Sequence, residues 1–281
     1  IRGSTLVISL FLLITAVTLM IYYRVPVQEW VGSMRINLTL VAIFLLVPLL
    51  GIPVKTGGYV EALKMVLSKI MNEPHFFYLG TKLLTHVLGI VLNIGAVSIV
   101  SKLTEASNIK SPRLVANAIN RGFVSTIFWS PYFSAMALIL SQLPIKWSSI
   151  VLYSMGLSVI SLLLSFFLDR QFIQAHIQTD KEAPSFDEEE MRAAKRKVAE
   201  LFFYLFVITA AVLVLEFMTS SSIVLMICLV SLSFPLLWCV LKGKGADYFR
   251  EFKDHLFLGI PRMRKEIVLF LIAGFFSGAL K

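Results

Sequence analysis

The sequence predicts an all-α polytopic membrane protein. Of 281 residues, 57% are hydrophobic and only 15% are charged, whereas ordinary soluble domains are roughly 25% charged. The mean hydropathy is +0.82, and seven or eight apolar stretches are long enough to cross a hydrocarbon layer about 30 Å thick. Strands of barrel length with alternating polarity are absent from the sequence, and only helices and closed barrels satisfy their backbone groups in lipid. The chain is therefore expected to cross the membrane as helices.

The expected spans form two groups on either side of a charged segment. They cover residues 4–22, 36–52, 79–100, an interrupted stretch at 114–143, 147–168, 198–216, 222–241 and a last span from residue 267. The segment 169–197 is predicted to be a solvated linker. Four acidic residues at 187–190 precede Arg192, Lys195, Arg196 and Lys197, and acid-to-base pairs three and four residues apart predict a helix in its second half.

The basic excess suits a membrane surface better than a nucleic acid. The chain has 26 Lys and Arg against 17 Asp and Glu, a net charge of +9. These basic residues crowd the loops beside the spans, where anionic lipid and the positive-inside bias account for them. We therefore expect a multi-pass protein of the plasma membrane, with the lipid bilayer as partner and without nucleic-acid binding. Cys228 and Cys239 fall in one apolar span and are interpreted as buried thiols.

Two amphipathic stretches suggest an internal repeat. Tyr59 opens a helical run that includes Leu63, Lys64 and Leu67, and Tyr248 opens a second run with Phe252, Lys253 and Leu256 at the same spacing. Each run follows two spans and precedes a proline and a new span, as in inverted-repeat secondary transporters with interfacial helices. The same order also occurs by chance in polytopic proteins. The predicted parts are a first transmembrane repeat at 1–168, a cytoplasmic charged linker at 169–197 and a partial second repeat at 198–281, which looks truncated.

The charges allow two topologies. If every stretch crosses the membrane, four alternate loops hold 19 of the 26 basic residues when Arg121 is counted with the loop before it, and these loops are cytoplasmic. The Tyr59 and Tyr248 helices then lie on opposite faces, as an inverted repeat requires, and this five-crossing topology is preferred for that reason. The alternative, a re-entrant hairpin over 79–100 that bends near Asn93 and Gly95, divides the charges 22 against 3 with Lys281 left out and places both helices inside. The linker is cytoplasmic in both topologies.

The polar passage from Asn117 to Ser134 lies inside a membrane-length helix and predicts a helix break. Pro131 cannot continue the helix, so Ser130 is expected as the N-cap and Pro131 as the first residue of a new half-helix. A half-helix that starts inside the membrane favours an anion at its amino-terminal end. The expected substrate-binding residues here are Asn117, Asn120, Ser125, Thr126, Ser130 and Tyr132, beside Trp129. The alternative is an ordinary proline kink with small residues that pack against neighbours.

Lys82, His86 and Asn93 share one face of the preceding span and complete the predicted site. Alternatively, Lys82 snorkels from the helix end and His86 is a satisfied core histidine. Arg121 is interpreted as a positive-inside anchor rather than as an anion gate. Only Glu216 among the 17 carboxylates falls within an apolar span, which favours an anionic or neutral substrate over simple cation exchange.

Enzyme chemistry has little support in the sequence. The four histidines lack metal-ligand spacing, and neither a phosphate-binding glycine loop nor a serine nucleophile elbow occurs. We therefore predict a transporter, not an enzyme, without a metal site or bound cofactor. A membrane enzyme acting on a lipid or lipid-linked substrate, or a membrane subunit that needs a partner, are the alternatives.

With the break at Ser130-Pro131 and the candidate repeat, the chain resembles the ion transporter superfamily. This group includes divalent anion and sodium symporters, arsenite permeases, gluconate-type permeases and the large subunits of TRAP transporters. The resemblance implies ion-coupled transport of a small anion such as a carboxylate, Na⁺ or H⁺ as coupling ion, a homodimer and an elevator movement. Such proteins bind substrate and sodium at Ser-Asn-Thr-like turns, whereas Ser125-Thr126 lacks the asparagine and Asn93-Ile94-Gly95 lacks the hydroxyls.

Overall fold

The computed structural model describes residues 4–68, 74–105, 111–143, 145–174, 187–219 and 221–280. Every regular element within these ranges is helical, which confirms the all-α prediction. Six helical segments in the described ranges are long and apolar enough to cross a membrane. They are Ser4–Tyr22, Val27–Thr56, which consists of several shorter helices, Pro74–Leu92, Trp147–Ile173, Glu188–Thr219 and Ile223–Leu241. The chain is therefore a multi-pass membrane protein.

The α-helices, numbered in chain order, are α1 Ser4–Tyr22, α2 Val27–Arg35, α3 Leu38–Leu46, α4 Ile52–Thr56, α5 Tyr59–Ser68, α6 Pro74–Leu92, α7 Ile94–Thr104, α8 Pro112–Ile127, α9 Ser134–Gln142, α10 Trp147–Gln174, α11 Glu188–Thr219, α12 Ile223–Leu241, α13 Gly245–Asp254, α14 Ile260–Arg262 and α15 Arg264–Ala279. A 3₁₀ turn at Val47–Gly51 and a π-helical turn at His255–Gly259 connect their neighbours. The chain forms two compact units, one of Ile1–Leu46 with Phe249–Lys281 and one of Val47–Tyr248.

The first unit is built around α1, α2 and α15. Ala16, Met20 and Phe275 are its buried cluster, and the Trp30 ring packs on Phe275 with centroids 6.0 Å apart. The Asn37 amide donates to the Phe270 carbonyl at 2.9 Å and so satisfies a buried polar group across the two chain segments. Gly274 and Gly278 of α15 allow this close packing, because a Cβ atom at either position would crowd Asn37 or Ser33.

The second unit contains the predicted site, and its centre is the packing of α6 on α8. Ser111 caps α8 by accepting a hydrogen bond from the Leu114 amide, with Pro112 at the first helical position, so the start of α8 follows from its sequence. Gly122 lets the two backbones approach closely, since a Cβ atom there would collide with the Lys82 carbonyl oxygen. A glycine at the crossing is a common means of packing membrane helices.

Helices α6 and α8 run in the same direction, and the chain between them must therefore turn back. Phe77 and Tyr78 pack on Leu114 and Ala118 near the start of both helices, and Ser130, just beyond α8, contacts Ile90 near the end of α6. The chain bends sharply at Asn93, whose φ is 52°. Helix α7 then runs back from the end of α6 toward its start. The prediction of one continuous span over 79–100 is wrong, because the helix ends at Leu92 and reverses at Asn93.

The Tyr59 helix lies at the same end of the α11–α12 pair as the start of the Tyr248 helix. The Tyr59 hydroxyl donates to Glu200 of α11 at 2.6 Å and accepts from Trp238 of α12 at 3.3 Å. Lys244, in the turn that leads into α13, donates to the Thr56 carbonyl just before α5. Burial and the bond to Glu200 raise the pKa of Tyr59 above its usual value. The five-crossing topology, with these helices on opposite faces, is wrong because these contacts join them at one end.

The linker begins later in the chain than the sequence predicts. Helix α10 continues to Gln174, so Asp169, expected as the first linker residue, belongs to this helix. At the other end α11 begins at Glu188, and the Arg192 guanidinium lies 3.2 Å from the Glu188 carboxylate one turn before it. This is the expected helix with its acid-to-base pairing. The internal repeat and its limits stay a prediction.

Candidate functional site

The predicted break in the polar helix is present, but the second half-helix starts later than expected. Helix α8 ends at Ile127, and α9 begins at Ser134. The prediction that Ser130 caps the new helix with Pro131 as its first residue is wrong. The Phe133 amide donates back to the Ser130 carbonyl at 3.3 Å and closes a turn, so the helix can restart only after it. Phe133 takes the N-cap position without a side-chain cap bond.

Ser130 connects this break to the bend at Asn93. Its hydroxyl is fully buried and donates to the Ile90 carbonyl of α6 at 2.7 Å. The same oxygen accepts from the Tyr132 amide at 3.4 Å. A single side chain thus links the two places where the backbone leaves helical geometry. We call this region, made of Ile90, Asn93 and residues 128–133, the junction.

His86 is bound into a chain of hydrogen bonds beside the junction. Its Nδ1 lies 2.7 Å from the Ser125 hydroxyl, and the Trp129 indole donates to its Nε2 at 3.4 Å. The Ser125 hydroxyl donates its only hydrogen to the Gly122 carbonyl at 2.7 Å, so it must accept from Nδ1. Since Nε2 accepts from the indole, the network assigns the neutral Nδ1-protonated tautomer to His86.

Helix α10 donates two hydrogen bonds to backbone carbonyls of the residues in this network. The Trp147 indole donates to the Trp129 carbonyl at 2.8 Å, and the Ser158 hydroxyl donates to the Ser125 carbonyl at 2.8 Å. Both bonds occupy carbonyl groups near the end of α8, where a helix leaves its last acceptors without intrahelical partners. Ser158 was not predicted, although its position on α10 facing α8 makes it part of the same network.

The remaining predicted residues of this region differ in role. The Thr126 hydroxyl donates to the Phe123 carbonyl at 2.6 Å, and its methyl group meets Gly89, so its role is packing. The Asn93 side chain accepts from the Ile94 amide at 2.8 Å and caps α7. Tyr132 is fully buried beside Thr209, and its hydroxyl has no well-formed hydrogen bond to any described residue. It is therefore a buried donor held within the break.

Lys82 and Asn117 are found in a second group of polar residues, together with Asp169. The Arg121 guanidinium binds the Asp169 carboxylate through two nitrogens, at 2.8 and 3.2 Å. The Tyr78 hydroxyl donates to the same carboxylate at 2.5 Å, and Asn117 lies at 3.5 Å. These five residues, on α6, α8 and α10, form what we call the ion cluster.

The ion cluster bears on three predictions. Arg121, interpreted from the sequence as a positive-inside anchor, is the partner of a buried carboxylate. Asp169 is only 2% exposed and lies in the apolar helix Trp147–Ile173, and Glu200 lies inside the predicted span 198–216. The inference that Glu216 alone among the acids lies within a span is therefore wrong. Asn117 and Asn120 are separated from the junction along α8, and Asn117 serves the carboxylate instead. The burial of Asp169 depends on partners on α6 and α8, which lie far from it in the sequence.

The described residues contain no group of three His, Cys, Asp or Glu side chains that could hold a metal ion. Comparison with protein-family models, with characterised proteins and with solved structures found no match for this chain. The junction and the ion cluster are therefore the features of the chain that indicate its function.

Proposed function

We propose that the chain is an ion-coupled secondary transporter that carries a small anion and binds it at the junction. The observation that carries the proposal is the bond from the Ser130 hydroxyl to the Ile90 carbonyl, at 2.7 Å. It brings a helix break and a hairpin bend together within a membrane protein. Irregular backbone at membrane depth is tolerated where it lines a cavity or is buried in protein, and transporters use such places to hold substrates.

The junction offers the kind of donors that an anion needs. Helix α7 begins at Ile94 and α9 at Ser134, each four residues beyond one partner of the Ser130–Ile90 bond. Both helix starts carry the positive end of a helix dipole. At α7 the Ile94 amide is already bound by the Asn93 side chain, so the uncapped start of α9 offers the amides for a ligand. Phe133 supplies no side-chain cap for α9. An anion at this place would replace lost hydration with directed N–H groups.

The side chains of the junction add donors without a fixed charge. Tyr132 contributes a buried hydroxyl that lacks a well-formed bond to described residues, and Trp129 and neutral His86 are held by the network described above. Neutral donors bind an anion more weakly than a buried cation would, because they lack a net positive charge that attracts it. Such a site suits a transporter, which must release its substrate.

Three features of the proposal depend on the resemblance alone. They are the coupling ion, Na⁺ or H⁺, the homodimer and the carboxylate nature of the substrate. The plasma membrane as location follows from the sequence and stays a prediction as well.

The test is uptake by the purified full chain in proteoliposomes. Radiolabelled acetate, succinate, sulfate and phosphate are offered under an inward Na⁺ or H⁺ gradient. We expect gradient-dependent uptake of at least one anion, lowered about tenfold by Ser130→Ala, the equivalent of one lost hydrogen bond of about 1.4 kcal/mol. Ser154→Ala on α10, outside the junction, is the matched control and should transport normally.

Two results would contradict the proposal. Uptake by Ser130→Ala at the wild-type rate would remove the junction as the binding site. Absence of gradient-driven uptake of any of the four anions by well-folded protein would contradict anion transport, and turnover of a lipid substrate by the same preparation would identify the membrane enzyme instead.

A further inference from the structure

A cavity of about 170 Å³ lies between α8 and α10, away from the junction. Its polar lining is Asn120, Arg121, Ser161 and Ser165, and its apolar lining is Val124, Leu164 and Leu168. Arg121 belongs to the ion cluster, and Ser165 contacts Lys82 of that cluster. The apolar ones are 41%, 57% and 60% exposed, respectively, and form its outer border.

Lys82 places an uncompensated positive charge behind this cavity. Its side chain is 1% exposed, and its ammonium group donates to the Leu162 carbonyl at 2.6 Å and to the Ser165 hydroxyl at 3.2 Å. Among the described residues, no carboxylate lies within 4.0 Å of this ammonium group. Asp169 is the carboxylate that acts on it from farther away, and it is already bound to Arg121.

The charges of the ion cluster therefore do not cancel. Arg121 and Lys82 supply two positive charges, and Asp169 supplies one negative charge. A buried ion without a counter-ion costs several kcal/mol even after relaxation. A negatively charged group in the cavity would lower that cost, because Ser165 both lines the cavity and touches the ammonium group.

Arg121 can bind such a group while it keeps its bond to Asp169. A guanidinium has five N–H donors in a planar arrangement, and two nitrogens of Arg121 face the carboxylate. Its side chain is 39% exposed, so donors remain for a ligand. The Asn120 amide and the Ser161 hydroxyl add neutral donors at the wall. This set of donors matches a phosphate oxyanion.

We propose that this cavity binds the phosphate group of a membrane phospholipid. The source of the phosphate follows from the surroundings of the opening. Only 11% of the apolar part of α10 is buried within the protein, and Leu164 and Leu168 belong to its exposed surface. Acyl chains are the medium on that surface, so the glycerol phosphate of a lipid can enter the cavity from the side. The proposal does not depend on transport at the junction.

The test measures binding to the purified full chain in detergent. The probes are dioleoylphosphatidylglycerol, dioleoylglycerol, which lacks the phosphate, and inorganic phosphate. Thermal unfolding and native mass spectrometry report binding. We expect phosphatidylglycerol to raise the unfolding midpoint by about 3 °C at saturation and to stay bound as one molecule per chain, with no comparable effect from dioleoylglycerol or inorganic phosphate.

Three variants separate the site from general lipid effects. Ser161→Leu fills the cavity and should abolish the shift. Ser154→Leu, two turns earlier on the same face of α10 and outside the cavity lining, should leave it unchanged. Lys82→Met removes the uncompensated charge and should weaken phosphatidylglycerol binding at least fivefold.

An equal shift in Ser161→Leu, or an equal shift with dioleoylglycerol, would overturn the proposal. A shift with inorganic phosphate but not with phosphatidylglycerol would overturn the lipid as the source. None of these results depends on uptake activity, so failure here and failure of the transport proposal can be told apart.

Discussion

The Asp169 carboxylate accepts hydrogen bonds from side chains on two other helices, and this makes it a central residue of the second unit. Arg121 binds it through two nitrogens and Tyr78 through its hydroxyl. A carboxylate buried among these donors is satisfied, but each donor depends on its negative charge. Removal of one partner of a buried pair is more damaging than removal of both, since it leaves the other charge unpaired.

Asp169→Asn is therefore expected to destabilise the protein by about 2–3 kcal/mol, toward the low end for a buried pair because Arg121 is partly exposed. Unfolding in mixed detergent micelles measures the loss. The double variant Arg121→Met with Asp169→Leu should lose less than the sum of its single variants, because it leaves no unpaired member of the pair. Additive losses would show that the two residues do not stabilise each other.

The tautomer of His86 is a second property that single hydrogen bonds decide. Nδ1 donates to Ser125 and Nε2 accepts from Trp129. ¹⁵N NMR of the labelled protein at neutral pH should show a neutral ring with the proton on Nδ1. His86→Asn, whose amide lies near the place of Nδ1, should retain about 1 kcal/mol more stability than His86→Gln. A proton on Nε2 would contradict the assigned network.

The sequence predicted these residues unequally. His86, Ser125 and Ser130 were identified because polar residues in an apolar helix are conspicuous, and the structure brings them together. Asp169 was missed because the apolar run ends at Leu168 and its next residue was assigned to the linker. Only the packing of α10 against α6 and α8 shows that the helix continues with a buried carboxylate. Partners that lie far apart in the sequence leave no local signal.

At the scale of elements, the crossing of α6 and α8 depends on one glycine. A Cβ atom at Gly122 would collide with the Lys82 carbonyl, whereas a Cβ atom at Gly156 on α10 would meet nothing within 4 Å. Both glycines lie within helices, but only Gly122 has close neighbours. Alanine substitutions at the two positions therefore separate the effect of close packing from the general effect of glycine on helix stability.

Gly122→Ala should destabilise the protein by about 1–3 kcal/mol, because the two helices must move apart. Gly156→Ala should be neutral or stabilising by up to about 1 kcal/mol, since alanine favours the helix. Thermal unfolding of both variants provides the comparison. Equal effects of the two substitutions would show that the crossing is looser than the structure indicates.

The helix break and the hairpin show which backbone features a local sequence pattern can predict. Pro131 predicted that the polar helix is interrupted, since proline cannot continue it, and this is confirmed. The position of the restart was wrong because the turn closed by the Ser130 carbonyl and the Phe133 amide is decided by backbone geometry rather than composition. The bend at Asn93 was only an alternative in the sequence, because apolar residues continue on both sides of it.

For the whole molecule, the direction of the chain follows from contacts and from charge. The five-crossing topology was preferred because an odd number of crossings gives an inverted repeat. The contacts of Tyr59 with Glu200 and Trp238 place its helix beside the turn that leads to Tyr248. The re-entrant hairpin topology satisfies these contacts and has the stronger asymmetry of basic residues, 22 against 3 with Lys281 left out. The distribution of basic residues therefore predicts the topology better than the repeat pattern does.

The last prediction concerns the membrane side of these segments. In a variant with Cys228 and Cys239 replaced, single cysteines are introduced at Lys64, Ala246 and Ser222. Lys64 and Ala246 lie on the segments joined at the Tyr59 end of α11 and α12, and Ser222 begins α12 at the other end. Because loops rich in Lys and Arg stay in the cytoplasm, an impermeant thiol reagent added to intact cells should label only Ser222→Cys. The other two should react only after permeabilisation. Labelling of Lys64→Cys from outside with Ala246→Cys protected would contradict the hairpin topology, since a single end of the α11–α12 pair cannot face both sides.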